Sequence, residues 1–289
     1  MKVTIYAFIL LLFCNISLAQ GHKPVKNDTL IPLPIGQVLE LQSTILAEKR
    51  TLNIYLPDGY NSADTEKYPV IYLLDGGIDE DFIHVVGLVQ FNSLPWVARL
   101  PKSIVVGITN ADRKRDFTYA TTVAGDKKKY PTTGGSEQFI AFIEKELQPY
   151  ITYRFKTNNS KTIIGESLGG LLATELLLTR PYLFDKYIII SPSLWWDNGS
   201  LLKRPIETLA SAINGKKEIY IGVGKEGLAP SEEPHIMEVD ANILVDKMQN
   251  AHNKNITLWF DYLPDEAHAT ISHQAIFNAI KKLAKGSGK

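Results

Sequence analysis

The chain has 289 residues, of which 45% are hydrophobic and 21% charged, a balance that suits a globular fold with a full core and excludes a disordered or low-complexity chain. Lysine plus arginine equals aspartate plus glutamate at 31 each, so composition offers neither a basic face for nucleic acid nor a polybasic patch for a membrane. No phosphate-loop signature, H-E-x-x-H pair or internal repeat appears.

In chain order, Lys2 precedes an apolar run from Ile5 to Phe13, and Ser17 and Ala19 supply the small residues that a signal peptidase reads. Residues 1–19 are therefore expected to be a secretory signal peptide, and the protein to be exported, to the periplasm or the medium. Phe13, before Cys14, is too large for a lipoprotein cleavage site. Cys14 is the only cysteine, so a chain cleaved after Ala19 has no disulfide, no cysteine-held metal and no thiol nucleophile.

Residues 20–36 read as a polar lead-in. Strands are expected over 38–46 and 51–57, then over the buried-type runs 68–77 and 102–109. A helical stretch from Asp79 to Leu100, broken near Pro95, separates the last two. Residues 110–135 are polar and irregular. Ser136 is expected to cap the next helix, whose apolar face carries Phe139, Ile140, Phe142, Ile143 and Leu147. Strands over 161–165, 186–192, 217–224 and 256–263 follow, with helices at 168–179, 237–251 and 271–284. This alternation predicts an α/β fold: a mostly parallel sheet of about eight strands, antiparallel at its front edge and covered by helices on both faces, in one domain over 37–289.

"TIIGESLGGLLA" (162–173) holds G-E-S-L-G between a strand and a helix. The motif alone is a common coincidence, but a strand, sharp turn and helix is the context in which it makes physical sense. Ser167 would project from a strained turn as a nucleophile, and Gly165 and Gly169 would lack the Cβ atoms that collide there. A serine hydroxyl needs a base. His268, directly after the last strand, falls on the same sheet edge as Ser167, and His273 is the fallback. The acid should follow the strand at 217–224, where Glu226 stands, with Glu232, Glu233 and Asp240 further on. The oxyanion hole would take one N–H from Leu168 and another from Gly76 or Gly77.

With these residues in order, the chain resembles a bacterial esterase family of α/β-hydrolases that includes esterase-D-like, enterochelin-esterase-like and feruloyl-esterase-like proteins. The resemblance covers nearly all of the chain after residue 19. It rests on "KRTLNIYLPDGY", "YPVIYLLDGG", "VVGITNADRKRDFT", "TIIGESLGGLLA", "IIISPSLWW" and "DEAHA". It implies an α/β-hydrolase fold without a large lid domain. It also implies ester hydrolysis through an acyl-enzyme, with Ser167 as nucleophile and His268 as base, and no cofactor. The family pattern for the acid is G-x-x-D, whereas "GVGKEG" offers a glutamate one position early. The stretch matching "SPSLWWDNG" lies near the substrate in the family, so Trp195 and Trp196 would line a pocket or pack the core. A small-molecule ester of siderophore, acyl-sugar or feruloyl type would be the partner, with no nucleic acid and no membrane after signal removal. Acyl transfer, as in the similar mycolyltransferases, and binding without catalysis are the alternatives. The charged "DRKRDFT" segment (112–118) reads as a structural salt bridge within the long loop.

Overall fold

Uninterrupted apolar runs become strands buried on both faces, and alternating runs become the half-covered edge. β1 (Gln37–Ser43) and β2 (Glu48–Tyr55) pair antiparallel at that edge, with Val38 exposed and Leu52 and Ile54 buried. β3 (Tyr68–Leu73), β4 (Ile104–Ile108), β5 (Thr157–Glu166), β6 (Lys186–Ile190), β7 (Lys217–Gly224) and β8 (Ile256–Leu263) complete an eight-stranded sheet. The strand order is β1-β2-β4-β3-β5-β6-β7-β8, antiparallel as far as the β2–β4 pair and parallel beyond it. The structure is a computed structural model that describes residues 29–205, 213 and 215–286. The expected signal peptide and most of the lead-in lie outside the described residues.

The helices are α1 (Phe82–Ser93), α2 (Arg113–Phe117), α3 (Ala124–Lys129), α4 (Ser136–Phe142), α5 (Gln148–Arg154), α6 (Leu168–Thr179), the single turn α7 (Trp196–Gly199), α8 (Met237–Asn250) and α9 (Ile271–Gly286). α1 and α9 close one face of the sheet through Phe82, Val85, Ile276 and Ile280. α4, α6 and α8 close the other through Phe139, Leu172, Leu176 and Leu244. Residues Ile35–Lys289 form one compact unit. No helix among the described residues is long and apolar enough to cross a membrane.

Local details depart from the sequence reading for physical reasons. Gly135, not Ser136, occupies the cap of α4, and Ser136 is its first helical residue. The helix expected from Asp79 to Leu100 is confined to α1, because the chain turns at Leu94 just before Pro95. The polar stretch 110–135 folds into α2 and α3, and charge anchors it. Arg50, with a fully buried side chain, meets Asp116 at 2.6 Å, and Arg115 meets Glu48 at 2.5 Å. Asp112 caps α2 by accepting from the Arg115 N–H at 3.0 Å. Arg115 does pair with Asp116 inside the 112–118 segment, at 2.8 Å. The other partners, Glu48 and Arg50 on β2 and Asp75 after β3, come from outside it. The segment is a clasp onto the sheet rather than an internal bridge.

Candidate active site

Parallel strands deliver their following loops to one edge, and the functional side chains gather there. β5 ends at Glu166, Ser167 makes the turn, and α6 starts at Leu168. Ser167 has φ 59° and ψ −118°, a conformation that costs a non-glycine residue about 1–3 kcal/mol. Three backbone bonds hold it. Ser167 N–H donates to the Ile190 carbonyl at 3.0 Å, and its own carbonyl accepts from Leu171 N–H at 2.9 Å and Ser193 N–H at 3.0 Å. A Cβ on Gly165 would stand 2.3 Å from the Gly169 carbonyl oxygen, which fixes glycine there. The expectation for Gly169 is too strong, since its nearest contact would be 3.3 Å. The tighter residue is Gly170, whose Cβ would meet the Ile190 carbonyl at 2.7 Å.

Ser167 Oγ and His268 Nε2 are 2.9 Å apart, and His268 Nδ1 lies 2.5 Å from a carboxylate oxygen of Glu226. The other Glu226 oxygen accepts from the Ser191 hydroxyl and, at 3.1 Å, from the Gly224 N–H. Burial works against the charge on Glu226, but the bonds from His268 and Ser191 outweigh it and hold the carboxyl below its usual range. The hydrogen bond to Glu226 raises His268 above the ordinary histidine value, against desolvation, with help from the nearby Glu166. The ring is positioned at both nitrogens: with a proton on Nδ1, its Nε2 is left to accept from Ser167.

The remaining expected residues divide. Asp240 is taken by His235, at 2.9 Å, and does not reach His268. Glu233 accepts from Asn198. His273 stacks against His84, ring centres 5.7 Å apart. Leu168 N–H lies in the first turn of α6, where amides have no intrahelical acceptor. Gly76 N–H is committed to the Ile108 carbonyl at 3.0 Å. Gly77 N–H donates to the Glu80 side chain at 2.8 Å, whose other oxygen accepts from Asn110 at 2.7 Å.

Ser167 and His268 sit at the mouth of a cleft of about 280 Å³ that Tyr130, Trp195, Trp196, Leu228 and Met237 line, with Arg113 and Lys114 also on its wall. Trp195 and Trp196 serve both expected roles. They face this cleft, and they pack edge to face 6.2 Å apart, with the Trp196 indole N–H donating to the Tyr119 carbonyl at 2.9 Å. Ser167 and His268 also line a second, acidic recess, together with Asp75, Glu80, Asp81, Arg113 and Glu166. Arg113 grips Asp75 with two bonds, of 2.6 and 2.8 Å. Among the described residues, no group of three histidine, cysteine or acidic side chains is arranged to hold a metal. The sequence reading missed Ser191, Arg113 and Glu166. Glu166 carried a local sign in its place inside the serine motif, and Arg113 in the charged 112–118 segment.

A model of the family described as "Putative esterase" matches residues 43–256. The chain belongs to this esterase family. A solved relative, an IroE-like serine hydrolase from Shewanella oneidensis, is 34% identical, with a TM-score of 0.77 over 86% of this chain and 80% of that one. The ferri-bacillibactin esterase BesA of Bacillus subtilis (strain 168) is 27% identical over 81% of this chain and 85% of its own length. The siderophore triacetylfusarinine C esterase of Aspergillus fumigatus is 38% identical over 31% of this chain and 30% of its own. The esterase carries its histidine and last helix beyond the matched residues, after β8.

Proposed function

We propose that this esterase is an exported serine hydrolase that cleaves a siderophore-type ester through an acyl-enzyme. The observation that carries the reading is the hydrogen-bonded chain from Ser167 through His268 to Glu226 at the mouth of an aromatic cleft. Ser167 Oγ attacks the ester carbonyl and its proton passes to His268 Nε2. Glu226 stabilises the resulting imidazolium through Nδ1. Leu168 N–H and Gly77 N–H, the latter on release of Glu80, hold the oxyanion. The carbon–oxygen bond breaks as Nε2 returns the proton to the leaving alcohol. Water then attacks the acyl-enzyme and gives a proton to His268 Nε2; the acyl–Oγ bond breaks, Nε2 returns the proton to Ser167 Oγ, and the acid leaves.

Aromatic walls with the Lys114 ammonium beside them, 4.4 Å from the Tyr130 ring centre, favour an aromatic, electron-rich or anionic substrate half. The names of the relatives support a siderophore as its source. The test is turnover of aryl esters and of an intact siderophore ester, read by mass spectrometry, with Ser167→Ala and His268→Ala alongside. Hydrolysis lost in both folded variants supports the reading. Equal rates in all three proteins reject it, and an acyl group recovered on an added alcohol points instead to transfer. Residues 1–19 support export, which cell fractionation of full-length and 20–289 forms checks.

A further inference from the structure

Glu166 stands between Gly165 and the nucleophile, and the steps above do not use it. Its Oε1 lies 3.4 Å from His268 Nε2, the ring nitrogen not occupied by Glu226. That oxygen is buried and has no hydrogen-bond partner among the described residues. A buried, unpartnered carboxyl oxygen is costly enough to need a reason. The cation nearby, Arg113, spends its guanidinium on Asp75 and reaches only the Glu166 backbone carbonyl, at 3.3 Å. The other charged neighbours on the recess wall are acids, namely Asp75, Glu80 and Asp81. His268 is therefore the group against which the Glu166 carboxyl is set.

We propose that Glu166 is a positioning residue acting through His268: as a neutral carboxyl it leaves Nε2 free to exchange the Ser167 proton, and as a carboxylate it retains that proton on Nε2 and sets a negative charge beside the forming oxyanion. The proposal rests on the serine-hydrolase reading above. Burial pushes Glu166 up to about 8, with Asp75 and Asp81 adding to the rise, against the opposing effects of His268 and Arg113. The neutral form thus prevails at neutral pH and the charged form under mildly alkaline conditions.

The experiment is the pH dependence of kcat/KM for the purified full chain and its Glu166→Gln and Glu166→Asp variants. It is paired with an NMR titration of the His268 imidazole in the Ser167→Ala background, with and without Glu166→Gln. A group titrating at about 8 is about one-tenth protonated one pH unit higher. The wild-type rate should therefore fall about tenfold on that alkaline limb. Glu166→Gln should lose the limb, Glu166→Asp should keep one, and the imidazole signal should show a second inflection near that pH that Glu166→Gln removes. The same limb in wild type and Glu166→Gln, or an imidazole without the second inflection, overturns the proposal. An inflection that depends on Glu166 in a protein that hydrolyses no ester keeps the coupling and rejects the esterase reading, so the two failures are distinct.

Discussion

Glu226 stands one position earlier than the family's aspartate, and its side chain is one methylene longer. The two differences offset each other, since its carboxylate still reaches His268 Nδ1 at 2.5 Å. Glu226→Gln is expected to lower kcat by about 10²–10⁴, because the imidazolium loses its counter-charge and the ring its fixed tautomer. The direction on the pH axis follows from His268. Its value is raised chiefly by the Glu226 bond, and a general base works only when neutral. Activity is therefore lost as pH falls through that raised value, and Glu226→Gln should move the acid limb to lower pH. A limb that stays in place, measured as kcat/KM against pH, would mean that Glu226 does not set the basicity of His268. That Ser167, His268 and Glu226 come together was legible in the sequence, because chain order fixes which loop each occupies. Glu166 was not legible, since its environment comes from Asp75, Asp81, Arg113 and His268, which lie 53 to 102 positions away.

The turn from β5 into α6 shows how an element stores the strain that its central residue carries. The G-E-S-L-G pattern marks Gly165 correctly but points to Gly169 as its companion. Gly170 is the residue that the end of β6 crowds, through the Ile190 carbonyl and Pro192. Local sequence cannot show this contact, because another strand makes it. Gly170→Ala is expected to destabilise the fold by about 1–3 kcal/mol and Gly169→Ala by clearly less, as read by urea denaturation. Equal losses in the two variants would remove the β6 contact as the reason. The strands themselves were legible almost throughout, because a strand buried on both faces is an unbroken apolar run. β5 is the exception: its first residues, Thr157–Ser160, are polar, and Thr157 joins the sheet across a register shift against Tyr68.

Across the whole molecule, buried charge joins the long polar excursion to the sheet. Arg50 and Asp116 are 0% and 1% exposed, and they bring β2 and α2 together. Removing Asp116 takes from the buried Arg50 its closest carboxylate and leaves it the part-exposed Glu48, at 2.9 Å, and the Thr109 carbonyl. Asp116→Ala is therefore expected to cost about 3–5 kcal/mol, whereas replacing both residues by apolar ones of similar size should cost much less. Thermal or urea unfolding of the single and double variants checks this, and additive losses would argue against a coupled pair. The same excursion supplies Arg113 to the site and Tyr130 to the cleft wall. A clasp that looks purely structural thereby also supplies part of the cleft wall.

Ser167, Glu226 and His268 each follow a different parallel strand, β5, β7 and β8, whereas Tyr130 precedes β5, Trp195 follows β6 and Leu228 shares the loop of Glu226. Two of these three wall residues thus stand on parts of the chain other than the three strand ends. Their loops are also tied to the strand ends and the sheet, through the Ser193 N–H on the Ser167 carbonyl, the Ser191 hydroxyl on Glu226 and the Arg50–Asp116 pair. For an experimenter, re-targeting is therefore a matter of point substitution: libraries confined to positions such as Tyr130, Trp195 and Leu228 vary the cleft wall while Ser191, Ser193 and Asp116 stay fixed.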